Sequence, residues 1–171
     1  RLDFYWSFCM RFHGRSFFSL ARRLQSRPVS AEEFIGLVEK SSLEPANSSA
    51  AWVERLRVAG EVDFKKLGRN ARVRIRFVEF ADAVVLDDWR SGVSVAMSHC
   101  CFNKHLHAKN CEIDGDLSIQ HSLIAGGLNA DGAGIGGAGV FSGLRALNGV
   151  SMMYARIGGI ANFSLAQIGA N

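Results

Sequence analysis

Across "IDGDLSIQHSLIAGGLNADGAGIGG", residues 113–137, an isoleucine returns every eleven residues with a glycine two places behind it. A helix repeats every 3.6 residues and a strand every two, so neither alone has a reason to count to eleven. The pattern carries on to the end of the chain. Its lead positions are Ile113, Ile124, Ile135, Leu147, Ile157 and Ile168, and its glycines are Gly115, Gly126, Gly137, Gly149 and Gly159. A second apolar residue follows each lead by five or six places: Ile119, Ala130, Phe141, Met153 and Phe163. Self-similarity at a fixed short period is the signature of a solenoid, in which like residues of successive coils stack into an interior ladder. Glycine then belongs where a corner needs positive φ or where two coils approach too closely for a Cβ. Eleven residues cannot enclose several faces, so one coil is expected to be two units, about 22 residues, giving about five coils over 58–171.

Upstream of the explicit repeat, "RVRIRF" (72–77) alternates, with Val73, Ile75 and Phe77 on one side and Arg72, Arg74 and Arg76 on the other. Short apolar bursts separated by turn residues follow, each too short for an ordinary helix. Residues before 58 read differently. Ser30-Ala-Glu-Glu33 is a capping box, in which Ser30 accepts from the Glu33 backbone while Glu33 reaches back. Phe34, Leu37 and Val38 then share a helical face, and Pro45 marks the end. A second helix is expected from about Asn47 or Ser48 to Gly60, with Trp52 and Leu56 on one side. The expected fold is thus mainly β: a helical cap over residues 1–57 and a parallel β-helix over 58–171, cut short at its C-terminus.

Charge divides the chain in the same way. Residues 1–112 hold 18 Lys/Arg against 13 Asp/Glu, whereas 113–171 hold only Arg145 and Arg156 against Asp114, Asp116 and Asp131. The net charge of +4, 48 % apolar content and mean hydropathy of +0.07 suit a soluble globular protein. No apolar run approaches the roughly 20 residues of a membrane span. Residues 1–28 combine six arginines with a single acid, Asp3. They read as a helix docked by its aromatics, with attachment to a membrane surface as the alternative. Four cysteines, Cys9, Cys100, Cys101 and Cys111, are too few and too clustered for a secreted disulfide framework, which points to the cytoplasm.

The I-x-G-x-L steps with following "GA", and the roughly five-residue steps of Phe102, Leu106, Cys111 and Leu117, resemble the β-helical repeats of bacterial pentapeptide-repeat-like proteins. That resemblance covers residues 58–171 and implies a right-handed solenoid that acts as a non-enzymatic scaffold. The chain departs from the strict A-[DN]-L-x-x pattern by mixing five- and six-residue steps. Six-residue steps are also those of left-handed hexapeptide acyltransferases, which use a turn histidine as general base. His105, His107 or His121 would fill that part.

Several constellations bear on chemistry. "HCCFNKHLHAKNC" gathers His99, Cys100, Cys101, His105, His107 and Cys111, and Cys101-x3-His105 with His107-x3-Cys111 could converge on zinc. The paired CxxC knuckle is missing, and small cysteines fit an interior ladder equally well. Gly137-x-Gly139-x3-Gly143 resembles a dinucleotide loop, but no following acid answers it and the repeat already explains its glycines. Asp87 and Asp88, or Asp114 and Asp116, could form a hydrolytic carboxylate pair, though adjacent turn acids are commonly surface residues. Arg72, Arg74 and Arg76 form a cationic row suited to an anion or an acidic partner, and equally to a solvated face that discourages edge pairing.

Together these features favour a rigid scaffold or protein-interaction module of a bacterial assembly, with no catalytic residue or cofactor assigned. An acyltransferase and a basic nucleic-acid or membrane-surface binder are the alternatives. A solenoid also needs both ends covered. The helices are expected to seal the first coil, and the last to be covered by further residues or by another copy of the chain.

Overall fold

The computed structural model describes residues 26–45, 48 and 51–169, so the reading of the N-terminal basic segment lies mostly outside the described residues. The chain winds into a parallel β-solenoid of about five coils. All pairings are parallel, and partner residues such as Cys101 and Leu123, or Leu106 and Leu128, are one coil apart. Side chains that bond across adjacent coils have the same separation, 22 residues, as between Lys109 and Asp87. In chain order each coil crosses four faces. The first holds seven strands, the second five, the third four and the fourth six.

The eleven-residue count is therefore half a coil. Ile113, Ile135 and Ile157 stack on the third face, while Ile124 and Ile168 stand on the first, half a coil away. Two repeat positions shift by one residue. The ladder between Ile124 and Ile168 is completed by Ala146 rather than Leu147. Met153 is exposed, and Met152 packs against the core in its place. With Ala146 and Met152 in these places every step is eleven residues, so the twelve-residue step before Leu147 is only apparent.

The interior is filled by side chains. Phe80 and Phe102 stack at 5.0 Å and Phe141 and Phe163 at 4.8 Å, each pair one coil apart. The two expected uses of glycine both occur. A Cβ on Gly126 would lie 2.5 Å from the His105 nitrogen of the preceding coil, whereas Gly149 has open space and a φ of +89°.

Corners between the fourth and first faces are left-handed in every coil: Arg55, Phe77, His99, His121, Gly143 and Leu165 have φ between 48° and 64°. Five of these six are not glycine. The strain that such residues carry is offset by backbone bonds across coils, as from Phe77 to the Ser98 carbonyl and from His99 to that of Gln120. This corrects the expected side of Phe77. The strand Val73–Arg76 stops before it, the corner turns its ring outward, and Val78 takes the interior place.

At the N-terminal end, strand β1 (Arg27–Ser30) leads into helix α1 (Ala31–Ser42). Ser30 caps α1, its hydroxyl accepting from the Glu33 nitrogen at 3.1 Å. The return half of the capping box is not made, because Glu33 pairs with Arg27 instead. Phe34, Ile35 and Val38 of α1 are buried, and Phe34 meets Phe80 edge-on at 5.3 Å. The helix thus seals the first coil.

Among the described residues, the second expected helix is not formed. Its segment holds strands β2 (Val53–Glu54) and β3 (Leu56–Ala59), which pair with Ile75–Arg76 and with β1. Val53, Leu56 and Val58 are buried as the first rungs of the ladders. A helix this short is marginal by itself, whereas pairing with the coil above fixes the segment by tertiary packing.

Candidate basic groove

The alternation in Val73–Arg76 fixes the fourth face: Val73 and Ile75 enter the core, while Arg74 and Arg76 remain half-buried on the outside. One coil earlier, the same outward position as Arg74 is occupied by Trp52. Arg72, exposed, stands just before the strand and donates to the Glu44 carbonyl at 3.4 Å. Together Trp52, Arg72 and Arg74 line an open groove of about 770 Å³, floored by Ser94 and Ala96 and bounded by Asp114. Two further arginines flank it already engaged. Arg76 pairs with Glu54 and lies over the Trp52 ring, 5.3 Å from its centroid, and Arg69 donates to Asp114 at 3.0 Å.

The three arginines singled out in the sequence are thus not equivalent. Arg72 and Arg74 line the groove, and Arg76 beside it pairs with Glu54 and lies over the indole. Trp52 was missed as a partner of this row because its local surroundings suggested a helix. The signal that could have placed it is the coil length, which puts Trp52 directly beneath Arg74.

The proposed zinc ligands spread over separate places. His99 and His121 stack at 5.2 Å along the corner column, with Phe77 at 5.0 Å on the other side of His99. His105 and His107 stack on each other at 5.4 Å elsewhere on the surface. Cys111 is buried in the core, and Cys101 is half-buried beside Asn103, its sulfur 3.4 Å from the carboxamide oxygen. Among the described residues, no three His, Cys, Asp or Glu side chains gather in a way that could hold a metal ion.

Comparison with protein-family models, with curated proteins and with solved structures finds no match to this chain. The remaining candidates therefore rest on geometry alone. Asp87 accepts from the Lys109 nitrogen at 2.7 Å, Asp116 from that of Ala138 at 2.8 Å, and Asp88 from Asn110 and Lys65. These carboxylates tie successive coils together. Gly139 lies in a strand of the fourth face and Gly143 at the next corner, and the chain goes on to another strand, Arg145–Ala146, rather than to the helix a dinucleotide loop needs.

One polar feature had no precedent in the sequence reading. Glu79, on the outer side of the first face, is buried and held by Arg57 at 3.3 Å and Asn103 at 3.0 Å. These partners compensate a carboxylate that burial would otherwise penalise. Among the described residues, no helix is long and apolar enough to cross a membrane.

Proposed function

We propose that this chain is a non-enzymatic protein-interaction module: a rigid solenoid whose groove at Trp52, Arg72 and Arg74 receives an acidic segment of a partner protein. The observation that carries this reading is the convergence of two guanidinium side chains and an indole around one open groove on a hydrogen-bonded sheet. A sheet holds such groups at fixed spacing, which lowers the ordering cost of binding. Guanidinium groups favour carboxylates because their planar donors match both oxygens. Nucleic acid fits less well. Tight phosphate binding commonly uses about six to ten cationic contacts, and here Arg69 and Arg76 are already engaged by Asp114 and Glu54. Kinship with bacterial pentapeptide-repeat proteins, right-handed winding and a cytoplasmic setting belong to the same reading. The roughly five-residue steps through Phe102, Leu106, Cys111 and Leu117 support the kinship, and right-handed winding is what that kinship would imply.

Titration of a fluorescent oligo-glutamate peptide tests it, with single-stranded DNA of equal length as the comparator. The expected result is salt-sensitive peptide binding, weakened roughly tenfold or more in the R72E/R74E variant. Absence of peptide binding at low salt, indifference to the double substitution, or tighter binding of the DNA would overturn the proposal.

A further inference from the structure

Trp52 belongs to two depressions. Besides the basic groove it lines a second cavity, of about 340 Å³, whose other walls come from helix α1 and from strands β2 and β3. The two depressions also meet along a rim. Arg72 of the groove donates to the Glu44 carbonyl, and Glu44 lines the second cavity. A chain seated in one therefore has only the indole and this rim to cross to reach the other.

The second cavity is lined differently. On α1, Leu37, Lys40 and Ser41 stand three and four residues apart on one side of the helix, and Glu44 continues that stripe just past its end. Phe34, Ile35 and Val38 fill the core, so Leu37, at the edge of the apolar face, stays half-buried. From the sheet side, Val53 and Leu56 reach the cavity from their places in the first rungs of the ladders. Leu37, Trp52, Val53 and Leu56 thus offer an apolar lining with room for one aliphatic or aromatic side chain. Exposed Lys40 stands at the border, and Glu54 on the same border is balanced by Arg76. A half-exposed leucine is ordinary on any surface. A concave apolar lining that shares a wall with a cationic groove is the combination by which a peptide is recognised, with polar groups fixing its orientation.

We infer that the acidic segment of the partner protein carries an apolar residue close to its carboxylates and seats it between Leu37 and Leu56. The inference rests on the reading of the groove at Arg72 and Arg74 as a site for an acidic segment, and it names what else that segment must contain. Each extended residue advances about 3.3 Å, so about three residues cross an indole ring and its van der Waals margins. Carboxylates then meet the guanidinium groups on one side of Trp52 while the apolar residue leaves water on the other. Charge alone selects any acidic chain, whereas the added cavity selects those with an apolar residue at the right distance.

Fluorescence anisotropy with two labelled peptides and the 171-residue chain is the test. In one peptide a run of glutamates is flanked on both sides, across two glycines, by leucine. In the other, glycine replaces each leucine. The leucine peptide should bind roughly tenfold tighter, the scale for burying one such side chain. The L37Q variant keeps a good helix former at the position, and circular dichroism checks its fold. It should abolish the difference while leaving the affinity of the glycine peptide unchanged. Equal binding of the two peptides to the unaltered chain, or an advantage of leucine that survives in L37Q, would overturn the inference. The basic groove would still stand if the glycine peptide bound and R72E/R74E released it. Failure of both peptides to bind at low salt would overturn the two readings together.

Discussion

Phe80 and Phe102 lie face to face, one coil apart, with ring centroids 5.0 Å apart and planes inclined by 12°. Phe34 of the capping helix meets the same Phe80 ring edge-on. Cap and solenoid thus share one aromatic column, and the helix is fixed by the residues whose repetition makes the coil. Removing a ring opens a void that neighbouring coils cannot collapse to fill, because their backbone spacing is set by hydrogen bonds. Phe102→Ala is expected to destabilise the protein by about 3–5 kcal/mol, read from urea unfolding. A loss below about 1 kcal/mol would show that the column is not what holds the coils in place.

Glycines separate by environment. Alanine at Gly126 would bring its Cβ to 2.5 Å from backbone atoms of Lys104 and His105, which cannot rotate away, whereas Gly36 in α1 has open space around it. Gly126→Ala should therefore lower the melting temperature sharply. Gly36→Ala should stabilise by about 0.5–1 kcal/mol, because alanine loses less backbone freedom in a helix. Similar effects at both sites would contradict the close inter-coil approach.

Thiol chemistry reports on the ladder. Burial pushes the Cys100 thiol up to about 12, and Cys111, buried and close to the charges of Glu112 and Asp87, also to about 12. Both are neutral and enclosed at pH 8, so neither should react with a thiol reagent in the folded protein. Mapping by mass spectrometry should find them unlabelled until denaturant is added. Rapid native labelling of Cys111 would place it outside the core.

Acid stability follows from two half-buried aspartates. Asp82 is held below the usual carboxylate range first by the Lys104 ammonium, 2.7 Å away, and then by the Gly60 N–H. Asp131 is lowered by the Ser151 hydroxyl and the Met153 N–H. Depressed folded values mean that their contribution is present above the unfolded value, near 4, and fades as the pH drops through the folded ones. Urea midpoints should fall between pH 5 and pH 3, modestly because solvent still reaches and screens both groups. The D82N/D131N variant should be less stable at pH 7 and show a flatter decline, and an unchanged slope would assign the acid sensitivity to other carboxylates.

Much of this architecture was legible in residue spacing. The half-coil count, the inward isoleucines, the two uses of glycine and the Ser30 cap are local or strictly periodic, and periodicity survives without knowledge of contacts. Other features were not legible for reasons that differ residue by residue. Trp52 and Leu56 stand four apart, a spacing that also suits a helix, and only pairing with Ile75–Arg76 and with β1 makes their segment two strands. Phe77 continues an alternating run, yet the corner turns it outward. The pairing of Arg76 with Glu54 joins residues one coil apart.

By itself, then, the sequence determined that this chain winds, how many residues each coil takes and which side chains fill it, because a ladder needs only like residues at equal intervals. The tertiary structure alone decided which outward residues become neighbours. Coil stacking brings positions 22 apart into contact, so the groove of Trp52 and Arg74 and the histidine column exist only once the coils are in register.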